Sequence, residues 1–412
     1  MPADHPEVQR LSNGILAAVA PLPDLESASF MILVPRGEID DRPGRCGEAT
    51  VLVEMLSRGT EHLDARAFVE AMDEIGLDRS FDASSEYLTI SGSLLPRHFE
   101  KGLSLMKEML AAPRLDPAEL PAARQLVYQS ALAIDDDPAE KVFVELKRRY
   151  HPPPYHRPFG SFPEEILQIE IEELREAARA LPSRDLIVAA SGKIETEKTL
   201  SLIEKVFTDF PNREPASFPQ ISPERKSGAE HVEKETGAQV QIAAAFPSIP
   251  FSDPDFIKVS LATAVLSGGM SGRLFVEVRE KRGLVYSVRA FHSAFRPYGT
   301  VYAYAGTTPE RAEETLRVLV EEMVRLGEGV SAEELKRART QLRSRVVMSL
   351  ESARARSGTL ATDLFYRGRA RSADEILEEI AAVTPEGLND FLANHPFRDP
   401  FVLTLGPEWR KR

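Results

Sequence analysis

The order of secondary-structure signals in the first half of this chain recurs in the second half, on the far side of a stretch from 211 to 226 rich in Pro, Ser, Asn and Arg. Before that stretch, alternating segments at 8–11 and 15–21 and the apolar run 29–34 read as adjacent strands. A helix over 46–57 stops at Arg58-Gly59, a basic last turn followed by a glycine cap, and a second runs from an N-cap at Asp64 to about 75. The alternating strand 87–95 turns Leu88, Ile90, Gly92 and Leu94 to one side, and helices fit 97–110, 117–134, 138–150, 169–181 and 195–207, with a strand at 185–190. Beyond the break come strand 239–245, helices 256–266 and 273–281, strands 284–291 and 299–305, helix 309–326, further long helices including 332–350, and a closing strand 401–405. One element order met twice in near-equal lengths argues for an internal duplication. Strands grouped at hairpin spacing beside blocks of helices predict an α+β fold of two duplicated halves, each a mostly antiparallel sheet covered by helices. The expected division is an N-terminal domain over 1–212, a linker over 213–228 and a C-terminal domain over 229–412.

Composition narrows the function. With 412 residues, 42% of them hydrophobic, the chain has ample material for two or three cores. No apolar run is long enough to cross a bilayer, and the early 14–19 segment reads as a strand rather than a leader. Cys46 is the sole cysteine, which excludes an intrachain disulfide and a cysteine-based zinc cluster; it is expected as a small buried hydrophobe in a reducing, cytoplasmic protein. A net charge of −13 opposes binding to nucleic acid and points to a neutral or basic peptide as any extended ligand.

Two stretches carry chemistry. The first is Gly47-Glu-Ala-Thr-Val-Leu-Val-Glu-Met-Leu-Ser-Arg-Gly-Thr60, and the second is Ser267-Gly-Gly-Met-Ser-Gly-Arg-Leu-Phe-Val-Glu-Val-Arg-Glu-Lys-Arg-Gly-Leu-Val-Tyr-Ser287. In the second, Arg279 falls in the last turn of a helix capped by Gly283 and Tyr286 starts the returning strand, so the two side chains can converge across the turn. Taken alone, these residues also describe an arginine paired with neighbouring glutamates and a tyrosine half-buried on its strand. The glycines of 267–272 lack the Lys-Ser/Thr pair of a phosphate loop, leaving a tight turn at which a peptide can approach the backbone of Gly268, Gly269 and Met270, or an ordinary turn.

Both stretches resemble signatures of the pitrilysin/insulinase family of inverted-motif zinc peptidases. Members read G-x-A-H-x-x-E-H-M-L-x-x-G-T where this chain has its first stretch, and a small-residue turn followed by R-L-F-x-E-V-R-E-K-x-G-L-x-Y-S where it has its second. In that register Gly47, Ala49, Met55, Leu56, Gly59 and Thr60 match. The two zinc-binding histidines fall on Thr50 and Glu54, the water-activating glutamate on Val53, and the downstream glutamate ligand, ahead of Asp136-Asp137-Pro138, on Ser130. A hydroxyl, an isopropyl group and one carboxylate cannot do the work of two imidazoles and a general base, so no metal is expected on this chain; His62, past the glycine stop, is expected to be exposed. His151 and His156, in a segment resembling H-P-x-G-R-P, are expected as loop residues.

The resemblance covers nearly the whole chain and implies the fold of the LuxS/mitochondrial-processing-peptidase-like metallohydrolases. It implies that strand 87–95 is the sheet edge that pairs with peptides. It also implies a zinc-free, noncatalytic subunit, similar to those of bacterial heterodimeric peptidases and of mitochondrial processing peptidase. Such a subunit pairs with a zinc-bearing homologous subunit with an intact H-x-x-E-H, and Arg279 and Tyr286 act in trans on the scissile carbonyl of a peptide substrate in a closed chamber. A homodimer of the isolated chain stays open. The alternative is a scaffold or peptide-binding homologue that takes part in no hydrolysis.

Overall fold

The computed structural model describes residues 5–214, 217–221, 226–234 and 237–409. The expected linker over 213–228 therefore lies partly outside the described residues. The chain forms two compact units, each drawn from separate stretches of sequence: Met1–Leu132, Arg157–Pro219 and Val347–Glu375 make the first, and Ala133–His156, Gln220–Val346 and Ile376–Arg412 the second.

The first unit is built on a six-stranded sheet of β1 (Glu7–Arg10), β2 (Leu16–Pro21), β3 (Ala28–Val34), β4 (Asp78–Ala83), β5 (Leu88–Leu94) and β6 (Ile187–Gly192), in the order β1-β2-β6-β3-β5-β4. Only β2 and β6 pair in parallel; the other ladders are antiparallel. The near-continuous apolar run of β3 follows from burial on both faces. Phe30, Ile32 and Val34 enter one core beneath helices Glu48–Leu56 and Phe99–Ala111, while Leu33 and Met31 enter a second with Leu360, Leu364 and Phe365 of helix Ala353–Arg367. Burying a side chain such as Phe30 contributes about 2–3 kcal/mol.

The second unit repeats the plan with β7 (Gly228–Glu233), β8 (Val240–Ser248), β9 (Ser287–Ala294), β10 (Gly299–Thr307) and β11 (Phe401–Gly406), in the order β7-β11-β8-β10-β9. Again one pair is parallel, here the outer pair of β7 with β11, and the remaining ladders are antiparallel. Ile242, Ala244, Val301 and Ala303 face helices Phe256–Ser267 and Ala312–Arg325, and Ala243, Ala245, Tyr302 and Tyr304 face Val142, Phe143 and Leu146 of helix Pro138–Tyr150. Each sheet is thus a layer between helices, and in each the helix on the second face comes from the other half of the sequence.

Several expected elements shift. The strand expected over 87–95 is not a sheet edge: β5 is hydrogen-bonded on both sides, to β3 and to β4, and the edge on that side is β4, a strand absent from the sequence expectation. The sequence DRSFDA carries little of the apolar alternation that marks a half-buried strand, because an edge is wetted along its length. The strand expected from 284 begins only at Ser287. Among the described residues no helix is long and apolar enough to cross a membrane.

Candidate functional site

Helix Glu48–Leu56 is anchored at its start by buried acids rather than by its own N-cap. Gly47 takes φ +94, and the carboxylate of Asp41 accepts hydrogen bonds from the Gly47 (2.7 Å) and Ala49 (2.8 Å) backbone N–H groups. Burial pushes the Asp41 carboxyl well above the usual range, opposed by those two hydrogen bonds. Glu48, fully buried, is ion-paired with Arg36 and Arg42. Cys46 is buried as expected; its thiol lies 3.6 Å from the Arg157 carbonyl oxygen, and burial raises it to about 12.

The four positions aligned with the missing zinc machinery do come together. Thr50, Val53, Glu54 and Ser130 line one cleft of about 280 Å³, together with Glu38, Asp82, Phe81, Ala83, Leu126, Val127 and Phe159. The spacing i, i+3, i+4 sets the first three on one helix face, and helix Leu120–Ala133 brings Ser130 opposite. The polar groups there are engaged elsewhere. Glu54 accepts from Arg58 Nε (3.0 Å) and Nη2 (2.8 Å), Arg58 Nη1 donates to Glu119 (2.7 Å), and Ser130 Oγ donates back to the Leu126 carbonyl (3.1 Å). Val53 is only 6% exposed. Glu38 accepts from the Phe159 N–H and the Ser85 hydroxyl, and Asp82 from the Ser80 hydroxyl, so the three carboxylates of the cleft are each engaged; among the described residues no three His, Cys, Asp or Glu side chains cluster as the three or four strong donors of a zinc ion must. His62 is exposed. The Glu54–Arg58 pair follows from i, i+4 spacing on the helix, a signal present in the sequence.

The second stretch folds around a staple. Residues Phe275–Glu280 form a π-helical turn, with the Lys281 N–H donating to the Val276 carbonyl five residues back, instead of the plain helix expected over 273–281. Glu277 gathers Lys281 (2.7 Å), Arg282 (2.9 Å) and Arg325 (3.7 Å), and its hydrogen bond from Lys281 leads in holding its carboxyl down to about 2. The neighbouring glutamate is therefore taken, and Arg279 is left exposed, its guanidinium 5.0 Å from the Phe275 ring centre and without an ion pair among the described residues. Gly283, at φ +60, donates its N–H to the Arg279 carbonyl, buried Leu284 and Val285 pin the return, and Tyr286 stands 83% exposed just before β9 rather than starting it. Neither side chain has the paired or half-buried setting that the residues alone suggested.

In the 267–272 turn, a Cβ on Gly268 would lie 2.0 Å from Gln341 Oε1 and 2.4 Å from the Ala264 carbonyl oxygen, so packing alone requires glycine there. Gly269 takes φ +120, and Met270 is 75% exposed. His151, expected in a loop, is instead buried: its Nε2 shares a hydrogen bond with the Tyr302 hydroxyl (2.6 Å) and its Nδ1 with the Tyr298 hydroxyl (3.0 Å). Its role is structural, at the end of helix Pro138–Tyr150, and nothing in the local sequence shows that the fold folds it inward.

Fold and site together define an α+β scaffold of two sheets covered by helices, with a cleft where Thr50, Val53, Glu54 and Ser130 meet. Residues 18–151 match the family described as Insulinase (Peptidase family M16), and residues 168–342 match Peptidase M16 inactive domain; the chain belongs to peptidase family M16. It is 25% identical over 407 residues to an uncharacterized zinc protease of Streptomyces coelicolor, spanning 96% of this chain and 88% of that one. To the uncharacterized zinc protease YmxG of Bacillus subtilis it is 25% identical over 399 residues, 95% of this chain and 96% of the relative. Its fold matches a crystal structure described as peptidase M16 inactive domain from Pseudomonas fluorescens, with TM-score 0.89 at 21% identity over 99% of this chain and 100% of that one. A protease from Helicobacter pylori gives 0.88 at 19% identity over 98% and 100%.

Proposed function

We propose that this chain is the zinc-free, complementing subunit of a heterodimeric zinc metallopeptidase that hydrolyses peptides in a closed chamber. Its partner is a homologous subunit with an intact H-x-x-E-H, which supplies the metal, the water and the general base; this chain holds no metal of its own. Arg279 and Tyr286 donate to the scissile carbonyl oxygen as it gains negative charge, the task for which a fixed guanidinium and a phenolic hydroxyl are suited. The turn at Gly268, Gly269 and Met270 lies along the path of the peptide backbone. A reducing, cytoplasmic setting belongs to the same reading.

The observation that carries the proposal is the contrast between the two stretches: Glu54 is neutralised by Arg58 inside a cleft without a ligand set, whereas Arg279 and Tyr286 stand exposed, with no acidic side chain occupying the guanidinium. The test is to assay this chain, its zinc-bearing homologue from the same host, and their mixture on unfolded peptides. Hydrolysis is expected only, or far faster, in the mixture. Turnover by this chain alone, or a mixture no faster than the homologue, refutes the reading.

A further inference from the structure

Helix Ala332–Ser349 concentrates positive charge on a chain of net charge −13. Lys336, Arg339 and Arg343 stand at i, i+3 and i+7, in one row along about 10 Å of helix. Rows of like charge at these spacings disfavour a helix and are ordinarily interleaved with acids. Here, among the described residues, none of Lys336, Arg339, Arg343 and Arg345 makes an ion pair, and the Arg339 Nε is a buried donor without a partner. Arg337, next to the row, makes among the described residues a loose pair with Glu333, at 3.9 Å.

Beside this row, which contributes Lys336 to its wall, lies a cleft of about 460 Å³ lined by Ser271, Glu333, Lys336, Arg337, Thr340 and Gln341. Ser271 and Arg337 also line an adjoining cavity of about 510 Å³ of mixed charge, which reaches Arg273 and Arg325 and also Glu277, Glu328 and Glu334. The Gln341 side chain packs on Gly268, which fixes the 267–272 turn as one bank of the cleft, and Met270 stands in solvent at its tip. Glu334, the other acid at the helix start, is not free to neutralise the row. It is held by Arg273 at 2.7 and 3.0 Å, and that hydrogen bond leads in drawing its carboxyl down to about 2. The cleft therefore presents ammonium, guanidinium, hydroxyl and amide donors beside one mostly solvated acid.

We propose that this cleft binds the carboxylates of acidic peptide segments, so that the chain selects peptides rich in Asp and Glu. The inference rests on the reading of the chain as a peptide-handling subunit and names the substrate class of that same surface. It runs against the expectation from net charge, since a ligand meets the local field of a few ångströms and not the total.

The test uses the full-length chain without any partner and three dye-labelled unstructured peptides of equal length, acidic, neutral and lysine-rich, followed by fluorescence anisotropy at low and moderate salt. The acidic peptide is expected to bind about tenfold or more tighter than the neutral one, an advantage that shrinks as salt rises. A Lys336→Glu/Arg337→Glu/Arg343→Glu chain is expected to lose that advantage with its circular dichroism unchanged, and Lys336→Arg/Arg343→Lys to keep it. Equal affinity for the three peptides, preference for the basic one, or tighter binding of a DNA oligonucleotide than of the acidic peptide overturns the proposal. Binding is read on this chain alone and hydrolysis on the mixture, so each can fail without the other.

Discussion

At the scale of single residues, the cleft beside helix Glu48–Leu56 gathers Thr50, Val53, Glu54 and Ser130, and the proposed absence of metal there can be tested by restoring ligands. In a Thr50→His/Val53→Glu/Glu54→His/Ser130→Glu chain the four side chains line the same cleft, and metal analysis is expected to find close to one zinc per molecule after extensive dialysis, against none for the unchanged protein. Arg58 bridges Glu54 and Glu119 while itself partly exposed, so Arg58→Ala is expected to cost about 1 kcal/mol, seen as a drop of a few degrees in thermal midpoint. Tyr286→Phe keeps the ring and removes the donor; kcat of the mixture is expected to fall by about one to two orders of magnitude, with the sedimentation of the complex unchanged. An undiminished rate removes the catalytic role from this residue. His151 supplies a pH test. Burial, aided by Lys147 and Lys226, pushes its imidazole down to about 3 from an ordinary 6.5. As pH falls, the unfolded chain takes up this proton first, and the folded state loses up to about 1.4 kcal/mol per pH unit between those two values. The thermal midpoint of the protein is expected to decline across that window, and that of His151→Gln to decline less steeply.

At the scale of elements, what counts is how the second face of each sheet is covered. Ala18, Ala20, Leu33 and Ile187 are buried against helix Ala353–Arg367, which arrives from the far end of the chain. A fragment of residues 1–212 leaves that face bare. It is expected to keep helical and strand signal in circular dichroism yet to bind a hydrophobic dye strongly, and a peptide spanning 347–375, added in trans, is expected to suppress the dye signal. A dye-negative fragment shows that the face does not need its helix. The 267–272 turn makes a second case: Gly268 sits where a Cβ meets the Ala264 carbonyl, which cannot swing aside as the Gln341 side chain can. The turn is thus held by packing as well as by any task toward a peptide, and its glycines cannot be read as functional from sequence.

At the scale of the whole molecule, the sequence carried the duplication, most helix positions, the placing of Asp64 as an N-cap, and the grouping of Thr50, Val53, Glu54 and Ser130, which the structure brings to one cleft. These follow from local rules, since periodicity, capping residues and a motif with fixed spacing are all properties of short windows. The polar edge strand β4, the inward turn of His151, the π-helical turn beneath Arg279 and the exchange of covering helices between sequence halves were not legible, because each is settled by partners far away along the chain. The cationic row of helix Ala332–Ser349 belongs with them: its residues were plain to read, but whether acids from elsewhere neutralise them is a matter of packing. The sequence by itself determined which donors the first stretch can offer, since side-chain identity fixes donor strength. Only the tertiary structure decided which charges stay unpaired and face solvent, because pairing and burial depend on distances that no window of sequence contains.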